Sequence, residues 1–326
     1  MSAGDAQARV QAAIDHRVAS GDEAGVQVAV VARSRVLVDA VSGSADPGRG
    51  RAVASDTLFW AASTAKGVAS AVAHVLVERG ELAYDLRAAD VWPEFGANGK
   101  DGVTLEQVLL HTAGVPAPPY DTTAEQLCDW EHMCAVLAEA RPWWEPGTRF
   151  GYHAKTFGFL LGEIVRRATG RGLSWWLREL VTVPLGIGDE VHFGVPEELV
   201  GRVARQQPPT GPPPPPPEPG SPVDRALPPG IRPDADYANR RDVLTADIPS
   251  EGTMTARGRP CSTPRCSATS TASSWSRPRG WRPWRRCGSR ARTRSWTSRR
   301  RGRSASARSG PVASRPGRAQ PSAWPG

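Results

Sequence analysis

Three observations predict an α+β fold. Two β-rich runs near the N-terminus, 25–31 and 35–41, are separated by only Ala32-Arg33-Ser34 and read as a hairpin. The segments that follow carry helical apolar spacing between Gly- and Pro-marked turns. Near residue 257 the composition changes so sharply that neither pattern continues.

Residues 5–20 read as an amphipathic helix. The hairpin comes next, and because an isolated hairpin is marginal it needs further strands beside it. A Gly/Pro/Arg loop, 44–56, leads to Phe59-Trp60-Ala61-Ala62 and a helix starting at Ser63. There Ala65, Val68, Ala69, Val72, Ala73 and Leu76 keep an i, i+3, i+4 face, and Gly80 stops it. Residues 81–95 read as a connector. A helix over 104–111 has Thr104 as N-cap and ends before Gly114 and Pro116. Another is expected over 127–141, followed by a turn-rich stretch to Ala154. Phe157, Leu160, Leu161, Ile164 and Val165 then mark a buried helix capped by Gly170. Ser174 is the expected N-cap of a helix to 183, stopped by Pro184-Leu185-Gly186. Residues 207–233, with six consecutive prolines at 212–217, read as an exposed polyproline-like loop.

The formal net charge of +8 averages two unlike parts. Of the 41 basic residues, 18 arginines fall within 257–326, where there is no Lys, Asp or Glu; the 23 that remain face 33 acidic residues, a net of −10 before position 257. No apolar run is long enough to span a bilayer. The first eighteen residues have no apolar core of a secretory signal, so the expected compartment is the cytoplasm. The five cysteines (Cys128, Cys134, Cys261, Cys266, Cys287) show no CxxC pairing. His132 between the first two does not make a metal site, and neither metal nor cofactor is expected.

The chemistry centres on Ser63 and Lys66. Three positions apart on a helix, their side chains stand one above the other. A hydroxyl at the first turn feels the positive end of the helix dipole, and a shielded amine beside it can take its proton. Ser63 also fits a plain N-cap. Lys66 is one of only three lysines, with Lys100 and Lys155, in a chain that otherwise uses arginine, which cannot release its proton.

Together with Leu109-Leu110-His111-Thr112-Ala113-Gly114-Val115, Trp144-Glu145-Pro146-Gly147-Thr148 and Gly151-Tyr152-His153, this S-x-x-K pair resembles the serine β-lactamase-like hydrolases: class C β-lactamases, D-alanyl-D-alanine carboxypeptidases and family VIII esterases. The resemblance covers about 8–256. It implies an antiparallel sheet flanked by helices plus an all-helical region. Ser63 would be the acyl-forming nucleophile, with Lys66 beside it. Tyr152 would fill the Tyr of the family's Y-x-N motif, as a phenol that shuttles a proton; a buried aromatic with a satisfied hydroxyl is the other reading of that residue. Ala154 stands where the family has Asn, which tilts the expectation from β-lactam toward a small ester or amide substrate. His111 and His153 are read as structural.

The family's third motif, K-T-G or H-x-G on a late strand, has no counterpart: His192-Phe193-Gly194 comes too early and counts as a chance match. The expectation is therefore an incomplete hydrolase domain over 1–256, lacking its C-terminal strands and impaired or inactive. The Arg/Ser/Pro-rich tail is what GC-rich codons give out of frame; residues 275–288 back-translate so that a neighbouring frame reads VSPERVAAVAAVR, a plausible helix. A frameshift is the reading of 257–326, which is expected to be disordered. The competing function for those 18 arginines and five tryptophans is non-specific binding of polyanions or nucleic acid, since no recognised binding module is present.

Overall fold

The computed structural model describes residues 3–32, 35–209, 211 and 215–258. By its contacts the chain divides into Met1–Ser274 and Trp275–Gly326, and every described residue belongs to the first unit. The frameshift, the disorder and the polyanion reading fall on positions that lie, apart from Arg257 and Gly258, outside the described residues.

The element order begins with α1 (Ala3–Ala19), β1 (Gly25–Ala32), β2 (Arg35–Asp46), β3 (Arg51–Ala52), β4 (Phe59–Trp60) and α2 (Thr64–Glu78). It continues with α3 (Ala88–Val91), α4 (Leu105–Leu109), α5 (Ala124–Cys128), α6 (Trp130–Glu139), α7 (Thr156–Thr169) and α8 (Leu173–Leu177). Last come β5 (Val191–His192), α9 (Pro222–Ala226), α10 (Ala235–Ala238), α11 (Arg241–Thr245) and β6 (Thr253–Met254).

The strands form two small antiparallel sheets, ordered β1-β2-β3 and β4-β6-β5. The expected hairpin is present with Gly25 opposite Gly43 and Ala32 opposite Arg35, and β2 runs further than its apolar pattern suggested. Helix α1 lays Ala6, Val10 and Ile14 over Val26, Val28, Val38 and Ala40. Among the described residues β1 is one edge of its sheet, and Val30 of β1 and Val36 at the start of β2 are exposed. Gln27 ties the hairpin to the second sheet: its amide donates to the Ala54 and Ser55 carbonyls and its oxygen accepts from the Ala256 N–H.

The main core lies between the helices. Ala65, Val68, Ala69, Val72, Ala73 and Leu76, the face expected for α2, are all buried, as are Phe157, Leu160, Leu161, Ile164 and Val165 of α7. Gly170 ends α7 in the left-handed conformation, as its position after the apolar run requires. Thr104 caps α4 through a capping box with Gln107.

Three expectations are corrected. The helix over 127–141 is two helices, α5 and α6, because Asp129 takes an extended conformation and caps the second through the His132 N–H. Ser174 is not an N-cap; Gly172 fills that place, and the Ser174 hydroxyl donates to Asp247. Residues 207–233 are more than an exposed loop. They carry α9, bury Ile231 in the main core, and bury Asp224, which accepts from Tyr120 and Arg232.

Candidate active site

Helix α2 is entered by a strained turn. β4 ends at Trp60, the Ala61 N–H donates to the Gly252 carbonyl at 2.7 Å, and Ala62 holds a φ of +44°. That left-handed conformation is rare for alanine, and strain of this kind persists where surrounding structure imposes it. It delivers Ser63, which is solvent-exposed, at the start of α2. The hydroxyl makes no cap hydrogen bond to the helix, so the plain N-cap reading is not realised; instead it accepts from Lys66 Nζ at 2.9 Å. Lys66 is only 6 % exposed and donates its other hydrogen bond to the Ser250 carbonyl at 2.9 Å. Desolvation pulls its amine down to about 7, against the opposing pull of Glu251.

Tyr152 reaches this pair from far along the chain. Its ring centroid lies 5.2 Å from Lys66 Nζ, so the structure brings Ser63, Lys66 and Tyr152 together. It is 46 % exposed, not the buried aromatic of the other reading. The 109–115 motif holds it there by lacing its backbone to the 143–151 stretch: Trp143 N–H to Gly114 O, Gly147 N–H to Thr112 O, and Gly151 N–H to His111 O. Gly151 must be glycine, since a Cβ would sit 2.2 Å from the Trp144 ring.

His111 and His153 complete the lacing. The His153 ring accepts from the Val115 N–H and donates to the Gly151 carbonyl, while its backbone N–H donates to His111 Nδ1. With both ring nitrogens engaged, His153 has no free site for proton exchange. Burial, chiefly, pushes His153 down to about 4; His111 is also pushed to about 4 by burial and by Lys66. A histidine whose folded value lies below its unfolded value, about 6.5, stabilises the fold above pH 6.5 and loses that contribution as pH falls toward 4. Urea unfolding is therefore expected to show stability dropping by about 2–3 kcal/mol for each of the two histidines between pH 7 and 4.5, with about half of the drop gone in His153→Asn.

A second cluster lies behind the first. Lys155, three residues beyond Tyr152 and just before α7, is 2 % exposed and pairs with Glu251, which also accepts from the Tyr237 hydroxyl at 2.8 Å. Lys155 Nζ sits 4.0 Å over the Tyr237 ring, and the Ser250 hydroxyl donates to the Lys155 carbonyl. Lys155, Tyr237, Ser250 and Glu251 have no motif of their own. Lysine scarcity was the available signal for Lys155, and it points to burial: Lys100 is fully buried too, with its ammonium donating to the carbonyls of Ala97, Ala138 and Ala140.

His192 lies on β5, which pairs with β6; its ring is buried and Nε2 has no hydrogen-bond partner among the described residues. Cys128 and Cys134 are free thiols, both with pKa values raised chiefly by burial, Cys128 to about 11. Among the described residues no three His, Cys, Asp or Glu side chains cluster so as to hold a metal ion, and no helix is long and apolar enough to cross a membrane.

A strand, a strained turn and a helix carrying Ser-x-x-Lys, with a Tyr laid over the lysine, define a serine β-lactamase-like scaffold. The family model described as Beta-lactamase matches residues 10–264, and the chain belongs to that family. It is 34 % identical over 175 residues to Esterase/beta-lactamase LipL of Mycobacterium tuberculosis, an overlap of 53 % of this chain and 39 % of that one. It is 32 % identical over 207 residues to Esterase EstB of Burkholderia gladioli, covering 58 % of this chain and 52 % of the relative. Among solved structures, a family VIII carboxylesterase superposes with a TM-score of 0.69 at 35 % identity, covering 76 % of this chain and 66 % of that one. The chain thus spans about half the length, or less, of these two esterases.

Proposed function

We propose that this chain forms an acyl-enzyme on Ser63 from a small ester or amide, with turnover far below that of a complete enzyme. The observation that carries the reading is the neutral-tending Lys66 amine 2.9 Å from an exposed Ser63 hydroxyl that makes no cap. Ser63 Oγ attacks the substrate carbonyl carbon and its proton passes to Lys66 Nζ. The bond to the leaving group then breaks, and the leaving alcohol or amine takes a proton delivered through the Lys66–Tyr152 pair. Water repeats the sequence on the acyl-enzyme. Ala154 in place of the family's Asn, and a relative named as an esterase, favour esters over β-lactams.

Low turnover follows from the residues available. The chain has no lysine after Lys155 and no histidine after His192, so no K-T-G or H-x-G string occurs within 195–326. Loss of the one oxyanion donor that such a motif supplies costs about 10²–10³ in rate.

Intact-mass analysis with an alkyl fluorophosphonate tests the acylation step. Labelling of one site, lost in Ser63→Ala, is expected. Its rate should rise through pH of about 7, because Lys66 accepts a proton only when neutral. Labelling that persists in Ser63→Ala would remove Ser63 from the chemistry. Hydrolysis of p-nitrophenyl butyrate should be slight; brisk hydrolysis that vanishes in Ser63→Ala would refute the impairment.

A further inference from the structure

Lys66 is faced by His111 from the 110–115 turn, by Tyr152 and Lys155 from the approach to α7, and by Glu251 from the segment before β6, whose carboxylate accepts in turn from Tyr237 of α10. Burial keeps His111 unprotonated and Tyr237 un-ionised at neutral pH, so Lys155 and Glu251 are the charges whose balance Lys66 senses. They oppose each other there: Glu251 draws Lys66 toward the ammonium, and Lys155 drives it toward the free amine.

The same residues fix the carbonyl to which Lys66 donates. Ser250 is held between its own hydroxyl bond to the Lys155 carbonyl and the Glu251 carboxylate, which Lys155 and Tyr237 grip from two sides. Gly252 is pinned by the Ala61 N–H at the turn into α2. Lys155 therefore touches both the position of Lys66 and its surroundings without reaching Ser63.

We propose that Lys155 is a positioning residue: by pairing with Glu251 inside the fold it withholds that carboxylate from Lys66 and leaves the Lys66 amine free to take the Ser63 proton. The proposal rests on Ser63 and Lys66 acting as nucleophile and base. Without Lys155, the buried Glu251 carboxylate has Lys66 as the remaining cation among the groups named above, and an amine serving as counter-ion is not available as a base.

The three lysines make the test direct. The full chain labelled with ¹³C at the lysine ε-carbons is titrated by NMR. Lys66 should titrate at about 7 in the wild type. Its midpoint should rise by about one pH unit or more in Lys155→Met, fall in Glu251→Gln, and return close to the wild-type value in the double variant. A Lys66 midpoint that moves in neither single variant overturns the proposal. Should Lys155→Met not fold, Glu251→Gln decides alone, and an unchanged midpoint there overturns it. Fluorophosphonate labelling of Ser63, followed against pH in the same variants, should shift with the titration. A moving midpoint with no labelling of Ser63 at any pH would instead overturn the nucleophile reading and leave the charge balance standing.

Discussion

Replacing Lys66 with arginine is expected to slow fluorophosphonate labelling of Ser63 by about 10²–10⁴, the usual worth of a general base. Lys66→Met should do the same. The pair of variants separates two ways in which a cation beside a hydroxyl could act. If a positive charge near Ser63 sufficed, arginine would preserve it, since its guanidinium stays protonated. If the chemistry needs a group that gives and takes a proton, arginine fails as completely as methionine. The stability of Lys66→Met carries a second expectation. An amine whose folded pKa of about 7 lies well below its ordinary value is held neutral or desolvated at a cost, so stability rises with pH through this group. Methionine fills the same slot without that cost, and urea unfolding at pH 7 should find the variant at least as stable as wild type. Labelling lost while stability holds marks a functional group; labelling retained by arginine would defeat the base assignment.

The sequence made this site legible where chemistry depends on close spacing. Ser63 and Lys66 share one helical turn, so their contact follows from the helix alone. Tyr152 is 86 positions beyond Lys66, and its arrival depended on the resemblance, because no local rule shows that 109–115 and 144–153 lace together. The helices that ran true, α2 and α7, have continuous apolar faces and clear stops. The error over 127–141 arose because apolar spacing carries across Asp129, although its side chain caps a new helix there. Residues 207–233 misled through composition. Prolines exclude long helices but not one turn with Pro222 at its first position, and Asp224 and Ile231 are buried by tertiary contacts that a linear pattern does not reveal. The Lys155–Glu251–Tyr237 cluster escaped for the same reason: its members come from three separate segments and meet only in the interior. Lysine scarcity pointed to the right three residues while blurring their tasks, since one lies against Ser63 and two are held deep among carbonyls and a carboxylate.

Gly158 offers the sharpest test of whether the 249–252 segment supports Lys66. Within a helix, Gly→Ala ordinarily stabilises by about 0.5–1 kcal/mol, because alanine loses less backbone freedom on folding. Gly67 in α2 is such a position: it is exposed, a Cβ there meets nothing within 4 Å, and Gly67→Ala should stabilise accordingly. Gly158 in α7 should reverse the sign. Its Cβ would stand 2.3 Å from the Ser250 backbone nitrogen, 2.9 Å from the Ser250 hydroxyl and 3.0 Å from the Pro249 carbonyl carbon. Backbone cannot swing aside as a flexible side chain can, so 249–252 or α7 must move, at a cost of about 1–3 kcal/mol for overpacking. The displaced residue is the one whose carbonyl accepts from Lys66 and whose hydroxyl accompanies Lys155. Gly158→Ala should therefore lower the urea midpoint and also shift the pH profile of Ser63 labelling, whereas a purely structural glycine would lower the midpoint alone. A variant as stable as Gly67→Ala would mean that α7 and the Ser250 backbone do not meet as closely as the geometry requires, and that the Lys66 amine is held without them.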